Sequence, residues 1–417
     1  MYRFQAPISS DEFDAFIHTT SFAPLSQTSS WAVLKSGDWK SVFCGLYNDG
    51  TLCGVALILM RRFLPGFTLA YCPRGPVMDL TDPEALAAFT DGAGKFCRSK
   101  GCYVLKIDPP VVVNKVLPDM PPAQYLDPFD IAQGEAQFAA LTHAGYRHKG
   151  FPKEMNLTIQ PRYHAYIPLK DAAGNPLSAA QLKKNYKTKL RKYLGSFQTS
   201  RGLFYEREEP TKETITLFKQ ILSATEERKQ IALRNESYFH LLARAFGDDA
   251  HFAFEKCRPA QFIRFLQQRI AAGDEQSGYL RQQLAHAEEM VQQYGEVVPL
   301  SALLTAYPPN KTGVRVAEYL YAGSDLSRFP SFNATLCGLC SQCLLCIGQG
   351  CDFLNLGGLD GYLNDGVYHF KIGFNPIIVE YAGEFDLVLR PAKYQFMERV
   401  FPFMKSLYRK LRKLVKR

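Results

Sequence analysis

The sequence predicts an α/β (α+β) chain made of two similar lobes and a short antiparallel helical arm. Three observations predict it. Strand-like and helix-like segments alternate over residues 41–107, the same strand–helix–strand order returns over 297–381, and residues 259–294 read as two helices broken once, at Gly273. Alternation of this kind packs helices against a sheet. A length of 417 residues also exceeds what a single core usually supports.

The elements follow in order. Residues 41–47 alternate in polarity, Asn48-Asp49-Gly50 supplies a turn, and 53–60 return as a buried strand. Residues 67–77 continue the sheet. A helix is expected over 83–100, with Pro83 in its first turn and Gly101 after its end. Residues 103–107 form a short apolar strand that stops at Asp108-Pro109-Pro110. The proline-rich stretch 111–130 reads as a loop, and 131–144 as a helix closed by Gly145. A second lobe begins near Phe151, with a strand at 165–169, a basic helix over 178–197 and helices over 211–225 and 238–246. In the arm, Leu280, Leu284, Ala287, Val291 and Tyr294 are spaced 4, 3, 4 and 3, an apolar seam of heptad type. Strands at 297–307 and 315–322, a helix over 337–347 and strands at 353–355 and 377–381 complete the chain. The expected organisation is 1–150 for the first lobe, 151–258 with 296–400 for the second, 259–295 for the arm and 401–417 for a tail.

Apolar residues make up 47% and aromatic residues 13%, which excludes global disorder. The net charge of +9 is uneven: the last 17 residues hold seven positive charges and no acid, leaving +2 for the rest. Basicity confined to a tail points to a polyanion or surface contact. In that tail Phe403, Leu407, Leu411 and Leu414 can line one face amid lysines and arginines, which suits an anionic membrane surface. A tRNA-binding tail or a disordered end are the alternatives. The first residues lack the charged and apolar regions of a signal peptide, and the longest apolar runs, 55–60 and 344–347, are too short to span a bilayer. The expectation is a cytoplasmic protein, peripheral on the inner face of the plasma membrane, with its eleven cysteines reduced.

Cys337, Cys340, Cys343 and Cys346, with Cys351 beyond, have a spacing like that of an iron–sulfur motif. The stretch is leucine-rich, helical in pattern and lacks a following proline, so the thiols read as small core side chains and no metal is expected. Lys183, Lys184, Lys187, Lys189, Arg191 and Lys192 form a basic face with Tyr186 and Tyr193 interleaved, either a tRNA contact or a solvated surface. No histidine spacing, P-loop or dinucleotide fingerprint is present. Nor does a core strand lead into the R/Q-x-x-G-x-G/A turn that binds CoA in ordinary acetyltransferases. No cofactor is expected.

Seven segments, taken in order, carry a family resemblance. They are Gln27-Thr28-Ser29-Ser30-Trp31-Ala32-Val33-Leu34-Lys35, Tyr71-Cys72-Pro73-Arg74-Gly75-Pro76-Val77, Leu105-Lys106-Ile107-Asp108-Pro109, and Arg228 through Arg234-Asn235-Glu236-Ser237-Tyr238-Phe239. Tyr319-Leu320-Tyr321-Ala322-Gly323-Ser324, Phe353-Leu354-Asn355-Leu356-Gly357-Gly358 and Phe370-Lys371-Ile372-Gly373-Phe374 follow. From about residue 4 to 400 the chain resembles the FemABX family of aminoacyl-tRNA-dependent peptidyltransferases, which build peptidoglycan side branches. The resemblance implies tandem acetyltransferase-like (GNAT-type) domains, with an arm shorter here than in some members. It implies aminoacyl-tRNA as donor and a lipid-linked peptidoglycan precursor as acceptor.

That chemistry sets the residue types. An acceptor amine of pKa about 10.4 must lose a proton to attack the ester, and the attack builds negative charge on oxygen. By resemblance, Asp108 falls where the acceptor amine is held or deprotonated. Lys371 falls where the tetrahedral intermediate or the tRNA end is steadied, and between Phe370 and Ile372 it reads as a strand residue. Lys35 and Arg234 match the pair that holds the precursor's phosphates, a task suited to an arginine fork. Tyr238, a helical turn beyond Arg234, shares that face. Tyr103 and Tyr321 are candidates for the cleft wall. An acyl-CoA-dependent N-acyltransferase, a non-catalytic tRNA- or membrane-binding module and an immunity factor that alters the cross-bridge are the rival readings. Glycine, alanine and serine all stay open as the transferred residue.

Overall fold

The computed structural model describes residues 1–197, 200–273 and 276–400. Along the chain, β1 (Tyr2–Gln5), β2 (Lys40–Asn48), β3 (Thr51–Leu64), β4 (Phe67–Cys72), β5 (Val77–Met78) and β6 (Cys102–Ile107) build a first sheet. The next strand, β7 (Val112–Val116), leaves it for a second sheet, and β8 (Arg147–His148) returns to the first. The second sheet is filled by β9 (Tyr163–Pro168), β10 (Leu203–Glu208), β11 (Ala250–Cys257), β12 (Val298–Ala306), β13 (Val316–Ser324), β14 (Phe353–Leu359) and β15 (Ile377–Tyr381). Last, β16 (Phe385–Val388) slots between β6 and β8 in the first sheet. The mixed α/β class expected from the sequence holds.

Each sheet is antiparallel apart from one parallel pair. In the first sheet β4 runs beside β6 as far as Cys72↔Ile107. In the second, β13 runs beside β14 only from Val316↔Phe353 to Glu318↔Asn355. Beyond those residues the partners part, and each sheet opens into a fork.

Several elements differ from expectation for physical reasons. Residues 112–116 were expected in a loop, but flanking prolines hide a valine-rich run that pairs with β15 from Val116↔Ile378 to Val112↔Tyr381. The basic helix is two helices, Ala179–Asn185 and Thr188–Phe197, because Tyr186 turns out of the helix to bury its ring against Phe374. The arm is Pro259–Ala271 and Ser277–Tyr294. Leu280 and Ala287 are buried in its seam as expected, but Met290 replaces Val291 at the core, because the hairpin packs against Phe329 and Phe332. The cysteine segment is the helix Ala334–Gly348, with Cys337, Cys340, Cys343 and Cys346 all buried. Among the described residues no helix is long and apolar enough to cross a membrane. The tail 401–417 lies outside the described residues.

The helix Ile131–His143 presses β7 against the second sheet through Gly134. A Cβ there would stand 1.8 Å from the Val112 carbonyl oxygen, which belongs to backbone and cannot swing aside. Gly134→Ala should therefore cost about 1–3 kcal/mol of stability, as overpacking does. Urea melts check it, and an unchanged midpoint would mean that the helix does not approach β7 so closely.

Candidate active site

The first fork is sealed by a carboxylate. Asp108 follows β6 and is 1% exposed. Its Oδ2 accepts from the Tyr71 hydroxyl at 2.9 Å, and its Oδ1 from the Arg74 backbone N–H at 2.6 Å. That second bond crosses from one diverging strand to the other. It also holds Arg74 in a left-handed conformation, φ +52°, which costs an L-residue about 1–2 kcal/mol. Gln27, fully buried, completes the turn. Its Nε2 donates to the Pro73 carbonyl at 2.7 Å and its Oε1 accepts from the Leu57 N–H at 2.7 Å. Gly75 admits this approach, since a Cβ there would meet Gln27 and Cys72 at 2.7 Å. Burial pushes the Asp108 carboxyl up to about 6 against the pull of the Arg74 guanidinium.

The second fork stays open and faces the Arg74 side chain. A cavity of about 230 Å³ lies between them, lined among others by Trp31, Arg74, His164, Glu318, Asn355 and Gly358. Arg74 Nη2 donates to the Pro161 carbonyl at 2.6 Å and meets His164 Nε2 at 2.9 Å. Its Nη1 is buried and has no partner among the described residues. A larger chamber, about 590 Å³, continues between the lobes on the other side of Arg74 and Tyr381.

Donor direction in this cavity is fixed by elimination. A guanidinium only donates, so His164 Nε2 accepts and its proton sits on Nδ1. That nitrogen lies 3.0 Å from Asn355 Nδ2 and 3.3 Å from Asn355 Oδ1, and only the oxygen can accept its proton; the same oxygen takes the Gly357 N–H at 2.9 Å. Asn355 Nδ2 is left to donate to Glu318 Oε2 at 2.9 Å. Burial, reinforced by Arg74, keeps the His164 pKa well below its usual range, so the ring stays neutral. Burial raises Glu318 to about 7, opposed by the Asn355 bond and then by Arg74.

The expected phosphate-binding residues come together beside this cavity. Thr28 caps the helix Ser29–Lys35 and Asn235 caps the helix Glu236–Phe246, and the two helices pack through Leu34, Phe239 and Leu242. Lys35 lies 4.5 Å above the Trp31 ring and 5.8 Å from that of Tyr238, while Arg234 lies 5.1 Å from Tyr238. The Tyr321 hydroxyl approaches that of Tyr238 at 3.4 Å. Among the described residues neither cation makes an ion pair. Burial first and Arg234 second lower Lys35 to about 8. Trp31 belongs to both groups, floor for Lys35 and wall of the cavity.

Three expected residues sit differently. Asp108 is behind the cavity wall, with both oxygens committed to the turn that carries Arg74. Lys371 ends a helix, Gly366–Lys371, not a strand, because Asp365 caps it by accepting from the Tyr368 N–H at 2.8 Å. Its ammonium donates to the Gly358 carbonyl at 2.7 Å, so it too stands one residue behind the wall, and burial lowers it to about 8. Tyr103 packs with Leu69, Val104 and Tyr394 and lines neither cavity. Arg74, His164, Glu318 and Trp31 were not singled out from the sequence. Arg74 and Trp31 lie inside quoted motifs, whereas His164 and Glu318 gave no signal at all.

A two-lobed α/β transferase, with a polar cavity where two forks meet, is the class that this fold and site define. The chain belongs to the FemAB family, whose model matches residues 8–269 and 264–400. It is 25% identical over 452 aligned positions to the lipid II:glycine glycyltransferase of Staphylococcus aureus strain MRSA252, covering 98% of this chain and 99% of that one. The crystal structure of FemX matches with a TM-score of 0.75 and 24% identity over 95% of this chain and 100% of that chain. A conserved protein of unknown function from Bacteroides thetaiotaomicron VPI-5482 matches with a TM-score of 0.51 and 11% identity, over 93% and 99%. The α/β class expected from the sequence holds, as does the family.

The Asp108 carboxyl titrates higher in the folded chain than its ordinary 3.8. Its stabilising contribution is complete below that ordinary value and is lost as pH rises through about 6. Asp108→Asn cannot ionise, so it should flatten the wild-type decline. Denaturant melts of both proteins at about pH 4 and about pH 7 check this, and identical declines would show that Asp108 does not titrate there.

Proposed function

We propose that this protein transfers an amino acid from aminoacyl-tRNA to the stem-peptide amine, or the growing branch, of a lipid-linked peptidoglycan precursor, building the interpeptide bridge. One observation carries the reading. Two cations without an ion pair among the described residues, Lys35 over Trp31 and Arg234 over Tyr238, adjoin a polar cavity that Trp31 also lines. Lys35 and Arg234 suit a phosphate group, and the acceptor end of the same molecule then lies at Arg74. The named activity of the Staphylococcus aureus relatives, glycine transfer to lipid II, favours a small transferred residue. The basic tail, residues 401–417, would hold the protein to the anionic surface that carries such a precursor.

The roles divide by position. Asp108 positions Arg74 and does not meet the amine. Lys371 sits behind the Gly358 carbonyl and supplies positive charge where the ester oxygen becomes negative, in a water-poor site that strengthens the interaction. Tyr238 and Tyr321 hold the Arg234 side of the phosphate site. No residue role here needs a metal or an organic cofactor.

Purified protein, lipid-linked precursor and a mixed pool of charged tRNAs should give a product heavier by one amino acid residue. Mass spectrometry reads it, and a precursor of unchanged mass would sink the reading.

Lys371→Met should lower kcat, by less than the about 10²–10³-fold lost with a direct oxyanion donor because its charge acts from behind the wall, with KM for the precursor little changed. Lys35→Ala should instead raise KM. Both lysines are charged below about 8 and neutral above it, so kcat/KM should fall as pH rises through that value. A rate that keeps rising past it would remove these assignments.

A further inference from the structure

We propose that Glu318 is the proton acceptor for the attacking amine, a catalytic residue that works in the open fork of the second lobe. The inference rests on the aminoacyl-transfer reading above and assigns its missing base.

Geometry makes the case. Of the two carboxylates near the cavity, Asp108 has both oxygens engaged and lines neither chamber, whereas Glu318 lines the cavity directly. Glu318 occupies the last paired position of β13, opposite Asn355, where the two strands part. One oxygen, Oε2, is held by Asn355 Nδ2 at 2.9 Å. The other, Oε1, accepts from no described residue and is not sealed in protein. The Arg74–His164–Asn355 chain points every donor the same way, toward Glu318, so that carboxylate is held in place while one oxygen stays available. Arg74 Nη1, buried and without a partner among the described residues, adds an unanswered donor on the residue that lies between the forks.

The step balances. The acceptor ammonium gives one proton to Glu318 Oε1, and its nitrogen lone pair forms a bond to the ester carbonyl carbon. The carbonyl π pair moves to oxygen, beside the Lys371 charge. When that pair returns, the bond to the ribose oxygen breaks, and the leaving oxygen takes the second nitrogen proton. Glu318 releases its proton to water before the next turnover.

The groups that face Glu318 are Arg74 from the turn after β4, Asn355 from β14, the neutral His164 and Tyr166 phenol from β9, and the Tyr381 phenol from β15. The phenols stay protonated through neutral pH, since burial raises both. The titration that remains is that of Glu318 itself, near 7, where a base works best at neutral pH.

The test uses full-length protein, lipid-linked precursor and the charged tRNA that the wild type accepts. Wild-type kcat/KM should rise with pH through about 7. Glu318→Gln, which keeps the Asn355 bond, should lose that rise and about 10²–10⁴-fold in kcat, with precursor KM unchanged. Glu318→Asp should keep a shifted rise, and it reads the same role if the glutamine variant melts early. A glutamine variant with normal kcat, or one that keeps the rise and changes only KM, overturns the proposal. Absence of transfer by the wild type would overturn the aminoacyl-transfer reading instead.

Discussion

Two parallel strands cannot stay hydrogen-bonded while their continuations diverge, and the site depends on how each lobe answers that constraint. Where partners part, backbone groups lose the ladder and need water, side chains or ligand. The first lobe answers with Asp108, whose carboxylate spans the gap to the Arg74 N–H and closes it. The second lobe leaves its gap open after Glu318↔Asn355. A sealed fork can present a side chain, and an open one can receive a substrate. The arrangement therefore pushes Arg74 out of one lobe into the mouth of the other.

Electrostatics follows from that meeting. Arg74 brings a buried positive charge, with Asp108 behind it and with neutral His164, the Tyr381 ring and Glu318 ahead of it. His164 stays neutral because burial disfavours its charged form, and a second cation beside Arg74 adds to that cost. Lys371 is discharged to about 8 by burial, and Lys35 to about 8 by burial and Arg234. Glu318 is pushed up to about 7 by burial, so it binds a proton more tightly than a free carboxylate yet still releases it near neutral pH. The lysines lose charge just above the point where Glu318 gains it, which leaves a narrow window with all three in working form.

Much of the fold was legible because periodicity reports burial. The helix expected over 83–100 is Pro83–Ser99, and the strand at 377–381 is Ile377–Tyr381. Strands with mixed or short patterns were not legible. Residues 203–208 end in alternating charge, and 385–388 are too few to show a period, yet both pair fully in a sheet. The site divided in the same way. Lys35 and Arg234 stand in motifs with local signatures, and their helices meet through an apolar face visible in sequence. Glu318 and His164 are about 150 residues apart, with no pattern around them. What brings them together is a register between β13, β14 and β9, a long-range pairing that no local window reports.

The exchanged strands explain why the forks can be trusted to meet. Because β7 pairs with β15 and β16 with β6, each sheet is completed by chain from the other half. Sliding one lobe past the other would break both ladders, four paired positions in each, a backbone pairing that a polar interface alone does not supply. The last residue of β15, Tyr381, stands beside Arg74 as the partition between the two chambers. The two forks are thus held in register, and the cavity between them is preset. Under the proposed function, selection falls on a molecule that brings a phosphate over Trp31 and an amine to Glu318.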